Sequence, residues 1–247
     1  MALYFRSFRD FPLVVAANRD ERYDRAAIGP RLIESNPAII AGRDLRAGGT
    51  WLGVNGYGVV VAVLNRRTQG AAAAPRELRS RGLLCLDLLR STSASSAAEF
   101  LVQDRFRYQP FTLVIADEAM ACSAANRESG IDLAELAPGL HVFNNRGTQD
   151  APDAKCSRAY ALFRAWRPDR SGGSGSWIGP LKALLGDHFG NGSSDPTGAL
   201  CVHGEVSGTV SSSIIVCERQ PKQARFYYCP GPPCENSFDA PLDLPIR

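Results

Sequence analysis

Apolar positions along the chain come in short bursts, each closed by a polar cluster. Residues 3–8 and 12–18 read as strands, the second through the continuous apolar run PLVVAA. That run ends in four polar residues, Asn18-Arg19-Asp20-Glu21. Residues 22–37 are highly charged, carry Pro30 and Pro37, and read as a loop. AIIAG at 38–42 is a short strand. GGTWLGVNGYGVVVAVLN at 48–65 is the clearest hairpin, its two apolar runs flanking Asn55-Gly56-Tyr57-Gly58. A loop is expected at 70–75. A helix follows over 76–90, with Leu78, Cys85, Leu88 and Leu89 on one face, and a second over 94–105. FTLVIAD and MACSAAN form another hairpin, and GLHVFNN at 139–145 is a short strand with a polar end. Helices are expected at 155–166 and 177–186, separated by the Gly/Ser surface loop RSGGSGSW. GALCVHG, SSSIIVCE and ARFYYC return to strands before a Pro/Gly-rich tail, PGPPCENSF.

The order is strands, helices, strands, helices, strands. No βαβ alternation appears, which argues against a doubly wound parallel sheet and for antiparallel sheets with grouped helices. The 247 residues can bury a sizeable core and are expected to form a single domain, 1–247. A net charge of +3 gives no strong pull toward nucleic acid, and none is expected as a partner. The longest apolar runs, such as GVVVAVL, fall far short of the ~20 residues that span a bilayer, so no transmembrane segment is expected. The start MALYFRSFRD does not read as a secretory signal. Seven cysteines, none at CxxC spacing, suit free thiols in a reducing compartment, and a cytoplasmic location is expected. Three scattered histidines, His141, His188 and His203, suggest neither a metal site nor a cofactor.

Four polar clusters fall at strand ends or turns: Asn18-Arg19-Asp20-Glu21, Asn55, Asn65-Arg66-Arg67 and Asn144-Asn145-Arg146. Asn and Asp start turns, which explains any one of them. Strand ends on one edge of a sheet converge in space, however. Paired Asn amides with an Arg–Asp couple are donors suited to a developing oxyanion and to orienting an amine. No G-x-S-x-G elbow supports a Ser–His–Asp triad around His203. AGGTWLGVNGYG lacks the Lys-Ser/Thr of a phosphate loop, and its glycines suit hairpin and bulge positions.

AANRDE together with AGRDLRAGGTWLGVNGYGVVVAVLNRR, whose NRDE and GGTWLG motifs start at residues 18 and 48, closely resembles the NRDE family, also called the transport and Golgi organisation 2 family. The resemblance continues through PGLHVFNN, CVHGEVSGTVSSSIIV and GPPCENSF. It implies an α+β fold of the N-terminal nucleophile hydrolase kind: a four-layer αββα sandwich of two antiparallel sheets between helix layers. In that superfamily the first residue of the mature chain, a Cys, Ser or Thr, attacks a carbonyl, usually of an amide, and its own α-amine serves as base. Carried over, Asp20 orients that amine and Asn18 or Arg19 lines the pocket beside it. Asn65 resembles the oxyanion-hole position and Asn145 the second pocket Asn. The implied activity is hydrolysis of small amide C–N bonds, with a small-molecule substrate. The alternative implied by the same family is a non-catalytic binding or trafficking protein, handling haem or lipid or serving Golgi organisation and secretion. Four aromatics, Trp51, Tyr57, Phe143 and Tyr227, are expected in the core or as the wall of an apolar ligand's pocket.

Two departures stand out. Family members generally begin Met-Cys, often Met-Cys-Thr-Leu, whereas this chain begins Met1-Ala2-Leu3-Tyr4. As written it lacks the nucleophile and is inactive by this mechanism. A misplaced start codon or a trimmed start is the expectation, and true loss of the nucleophile the alternative. Many relatives also carry Gly-Thr-Arg where this chain has Gly208-Thr209-Val210. Cys201 and Cys234, with no His–Asp context in the sequence, are expected to be structural.

Overall fold

A computed structural model describes residues 1–66, 78–127, 130–145, 154–168, 174–188 and 198–247. The expected loop at 70–75, Arg67, Arg146 and the first half of RSGGSGSW lie outside the described residues; its second half, Ser174–Trp177, is a turn of 3-10 helix. The first hairpin is β1 (Ala2–Phe5) and β2 (Leu13–Arg22). Then come β3 (Ala27–Ser35), β4 (Ala38–Asp44), β5 (Leu52–Asn55) and β6 (Val60–Asn65). Helices α1 (Arg81–Leu88) and α2 (Ala94–Gln103) precede β7 (Phe111–Ala116), β8 (Ala121–Arg127), β9 (Gly130–Glu135) and β10 (Gly139–Val142). Helices α3 (Ala154–Ala165) and α4 (Ile178–Leu185) lead to β11 (Ser207–Arg219), β12 (Lys222–Cys229) and β13 (Leu242–Pro245).

The strands make two antiparallel sheets. One is a meander running from β3 to β9 in chain order. The other has the order β10-β1-β2-β11-β12-β13, so the start of the chain is paired with its last third. Period-two alternation divides each strand between two cores. In β2, Leu13 and Val15 join the core between the sheets, while Val14 and Ala16 join the core under α3 and α4. In β6, Val60 and Ala62 face the sheet partner, and Val61 packs with Leu84, Leu88 and Leu101 of α1 and α2. Three cores therefore separate four layers: helices, sheet, sheet, helices. This is the expected αββα sandwich. Because both faces of its inner strands are covered, those strands read as continuous apolar runs instead of alternating ones.

Four expectations need correction. Residues 22–37 are not a loop, because they contain β3. Its ladder is irregular between Ile28 and Arg31, where Pro30 sits, and an edge strand tolerates a residue with no N–H to donate. β9 and β13 were not expected either, and both are also edge strands. GALCVHG is not a strand. Its described residues 198–204 pair only through a bridge between His203 and Gly208. Leu200 and Cys201 are buried, Leu200 in the core under α3 and α4, and both of their N–H groups donate to the Asp187 carbonyl after α4, each at 3.0 Å.

Asn55, the turn residue of the hairpin, is fully buried. Its Nδ2 donates to the Leu89 and Ser91 carbonyls at 2.7 Å each, and its Oδ1 accepts from the N–H groups of Tyr57 and Val59. One side chain thus closes the turn and ties it to the α1–α2 connection. Asn55→Ala leaves two donors and two acceptors without partners and is expected to cost about 3 kcal/mol. The check is a lowered urea midpoint at unchanged slope.

Candidate active site

β2 outruns the core beneath it because β11 continues beside it, as far as Arg22 opposite Ser207. Past Ala17 no apolar layer is left to cover, so the strand presents Asn18-Arg19-Asp20-Glu21 at the open end of the sandwich. Alternation then splits the four residues. Asn18 and Asp20 point toward the α3/α4 side, and Arg19 turns into the gap between the sheets.

Asn18 is an anchor. Its Nδ2 donates to the Leu185 and Leu200 carbonyls at 2.8 Å each, and Ser212 Oγ donates to its Oδ1 at 2.5 Å. Asp20 accepts from Thr209 Oγ1 at 2.7 Å and lies 3.5 Å from Lys155 Nζ. Thr209 is held by exchange with Val202, and the ladder shifts register immediately after it, between Thr209 and Ser211. In the Gly208-Thr209-Val210 departure, Thr209 is therefore the residue that bears on the site. Gly208 is required next to it. A Cβ there would stand 2.4 Å from the Tyr23 hydroxyl and 2.5 Å from the Val202 carbonyl oxygen. Arg19 lies over the Trp51 ring, 4.4 Å from its centroid, with Asp44 at 3.7 Å and Glu21 at 3.9 Å. Burial pulls its guanidinium below the ordinary value, and the two carboxylates oppose that.

These groups line a cavity of about 940 Å³ at the shared end of both sheets. Asn18, Arg19, Asp20, Asn65 and Asn145 all reach it: three from β2, Asn65 from the last position of β6, and Asn145 from just past β10. The amides of Asn65 and Asn145 make no hydrogen bond to any described residue, unlike that of Asn18. Asn55 lies elsewhere, spent on its turn. Of the four aromatics, Trp51 and Phe143 line the cavity, whereas Tyr57 and Tyr227 pack into the outer cores.

The sequence reading missed several cavity groups. The Met1 α-amine lines the cavity and donates to the Phe143 carbonyl at 2.8 Å. Burial, then Lys155, pulls its pKa from 8.0 to about 6, against the opposing charge of Asp20. Lys155 and Thr209 are equally unannounced, because nothing in their local sequence says that they face Asp20.

The amine makes folding pH-dependent. Below about pH 6 it is charged in both the folded and the unfolded chain, and folding bears the whole cost of burying that charge. Between about 6 and 8 the unfolded chain binds the extra proton, so stability rises with pH across that window. The expected gain is on the order of 2 kcal/mol. Urea unfolding at both ends of the window checks this, against a chain acetylated at its α-amine, from which the gain should vanish.

A family model described as Transport and Golgi organisation 2 matches residues 1–227. The Transport and Golgi organization protein 2 homolog of Bos taurus is 31% identical over 144 residues, covering 55% of this chain and 51% of that protein. The Drosophila melanogaster Transport and Golgi organization protein 2 is 28% identical over 145 residues, covering 55% and 49%. The chain thus spans about half the length of the curated relatives it matches. Among solved structures, a Caenorhabditis elegans ortholog of N-acylethanolamine-hydrolyzing acid amidase superposes with a TM-score of 0.56 at 11% identity, over 87% of this chain and 91% of that one. Penicillin V acylase from Agrobacterium tumefaciens gives 0.54 at 12%, over 92% and 82%. At such identities the likeness is one of fold.

Proposed function

We propose that this chain, which belongs to the Transport and Golgi organisation 2 family, hydrolyses small amide C–N bonds in the cavity at the shared end of its two sheets. The observation that carries the reading is a main-chain amine held largely neutral at pH 7 in a cavity that also presents Asp20, Lys155 and the side-chain amides of Asn65 and Asn145. A neutral amine can accept a proton from a neighbouring nucleophile, and two amide donors can stabilise the oxyanion formed at an attacked carbonyl. By their names, the two solved structures of similar fold are an amidase and an acylase, which supports the same reaction class.

In this reading the nucleophile is the thiol or hydroxyl of the first residue of the mature chain, ahead of β1. It attacks the amide carbon and gives its proton to the α-amine. Asn65 and Asn145 donate to the oxyanion. The C–N bond breaks, the amine product leaves with the proton, and water then releases the acid from the acyl-enzyme. Asp20 is a positioning residue, fixed by Thr209 and balancing the charge of Lys155. Arg66 and Arg81 line the cavity with no carboxylate among the described residues at ion-pair distance, which favours substrates with an anionic group.

The test is the N-terminal residue of the natively expressed protein, by intact mass and N-terminal sequencing, followed by a screen of activated amides and esters. A Cys, Ser or Thr at that end, with burst kinetics and labelling of the terminal residue, supports the proposal. A mature start at Met1 or Ala2 with no turnover ends it. The apolar wall of Trp51, Leu64, Phe143 and Phe163 supports a second reading, retention of an apolar ligand such as a lipid or haem without turnover. Thermal stabilisation by such a ligand, with no product formed, would favour that reading.

A further inference from the structure

Outside the machinery just described, three distant segments bring two thiols and two imidazoles together. His188 follows α4, Cys201 and His203 precede β11, and Cys234 lies in the Pro/Gly-rich tail. Their four ligand atoms lie within 4.8 Å of one another. Cys201 Sγ is 3.6 Å from Cys234 Sγ and 3.6 Å from His203 Nε2, and His203 Nε2 is 3.3 Å from Cys234 Sγ. The rings of His188 and His203 are 5.1 Å apart between centroids. A tetrahedron with metal–sulfur bonds of about 2.3 Å and metal–nitrogen bonds of about 2.0 Å has edges of roughly 3.3–3.8 Å. The three distances fall within that range.

We propose that His188, Cys201, His203 and Cys234 bind a zinc ion as a four-ligand structural site. Two thiolates and two neutral imidazoles balance the dication, and a tetrahedral S₂N₂ set suits zinc. With four protein ligands no coordination position is left for substrate, so the ion's role is to hold chain segments together. The surroundings are built for close approach. The Leu200 and Cys201 N–H groups both donate to the Asp187 carbonyl, and a Cβ on Gly186 would stand 3.3 Å from the Cys234 nitrogen. Cys201 is buried while the other three residues are exposed, which gives the ion a route in from solvent. The proposal departs from the expectation of no metal site, while Cys201 and Cys234 keep the structural role the sequence suggests for them. The ligands share no sequence motif because the fold assembles them.

The site bears on the cavity without being part of its chemistry. The segments it clamps carry the Leu185 and Leu200 carbonyls that anchor Asn18, and Val202, which positions Thr209 against Asp20. The proposal does not depend on the hydrolase reading, because its readouts are metal content and spectra.

The experiment uses the untagged chain purified under reducing conditions without chelator. Elemental analysis is expected to find about one zinc per chain. Chelator-stripped protein given Co²⁺ is expected to show thiolate-to-cobalt charge-transfer absorption and tetrahedral d–d bands, displaced by Zn²⁺. Both signals should be lost in Cys201→Ser with Cys234→Ser and weakened in His203→Gln. Stripping and reloading the unaltered chain keeps the test decisive even if a variant fails to fold. Absence of zinc together with no cobalt spectrum would overturn the proposal. So would metal retained by the folded double variant, or a Cys201–Cys234 disulfide in reduced-purified protein that takes up no metal.

Discussion

Asp20→Ala, made in the natively expressed protein, is expected to lower kcat/KM for amide hydrolysis by about 10³-fold while leaving the fold in place. Asp20 stands at the far end of β2, past the apolar core, and its side chain is 36% exposed. Its ion pair with Lys155, at 3.5 Å, contributes little to stability in so open a position. Its effect on the site is larger. It opposes the pull of Lys155 on the α-amine and, through Thr209, fixes its own carboxylate beside that amine. Removing it leaves Lys155 as an uncompensated positive neighbour and depresses the amine's basicity further. Asp20→Asn, which keeps the shape and removes the charge, should lose most of the same activity and shift the pH–rate profile to lower pH. Turnover within a few-fold of the parent in either variant, with the melting temperature unchanged, would remove Asp20 from the mechanism.

Gly49→Ala is expected to be the most destabilising Gly→Ala change among the described glycines, costing about 3 kcal/mol or more. A Cβ at Gly49 would lie 2.2 Å from the Gly82 carbonyl carbon, 2.5 Å from the Leu83 nitrogen and 2.6 Å from the Gly82 Cα. All three are backbone atoms at the start of α1, so no change of rotamer relieves the contact. Either α1 or the β4–β5 connection must retreat, which strains the Thr50 N–H bond to the Gly82 carbonyl. Gly48 is the internal control. It has a φ of +73° and open space around it, so Gly48→Ala carries only the cost of a left-handed backbone, about 1 kcal/mol. A urea midpoint lowered as little by Gly49→Ala as by Gly48→Ala would refute the close approach. Gly82 and its neighbours Ser80 and Arg81 line the cavity, so the displacement should reach the site as well. The GGTWLG stretch is therefore explained by helix–strand contact and by Trp51 under Arg19.

The inner strands were legible because burial on both faces leaves an apolar run that no loop would carry. The three strands that escaped notice, β3, β9 and β13, are all sheet edges. An edge strand covers little core, so its polar and Pro-containing sequence resembles a loop; backbone pairing alone makes it a strand. The opposite error at GALCVHG has the same origin. Leu200 packs into the core under α3 and α4 and Cys201 is buried beside it, and periodicity cannot distinguish that burial from a ladder.

The local sequence determined the two hairpins, the four helices, the grouping of strands and the motif at the end of β2, since each follows from neighbours a few positions apart. Only the tertiary structure decided how the polar residues divide their work. Asn18, Asn55, Asn65 and Asn145 are chemically identical, and in the sequence each falls at an expected strand end or turn. The first two have their amides consumed by carbonyls 34 to 182 residues away, and the last two face the cavity. The same holds for Lys155 and Thr209 around Asp20, and for His188, Cys201, His203 and Cys234. Antiparallel pairing of β2 with β11 brings residues almost two hundred positions apart into register, and no local pattern records a partner at that distance.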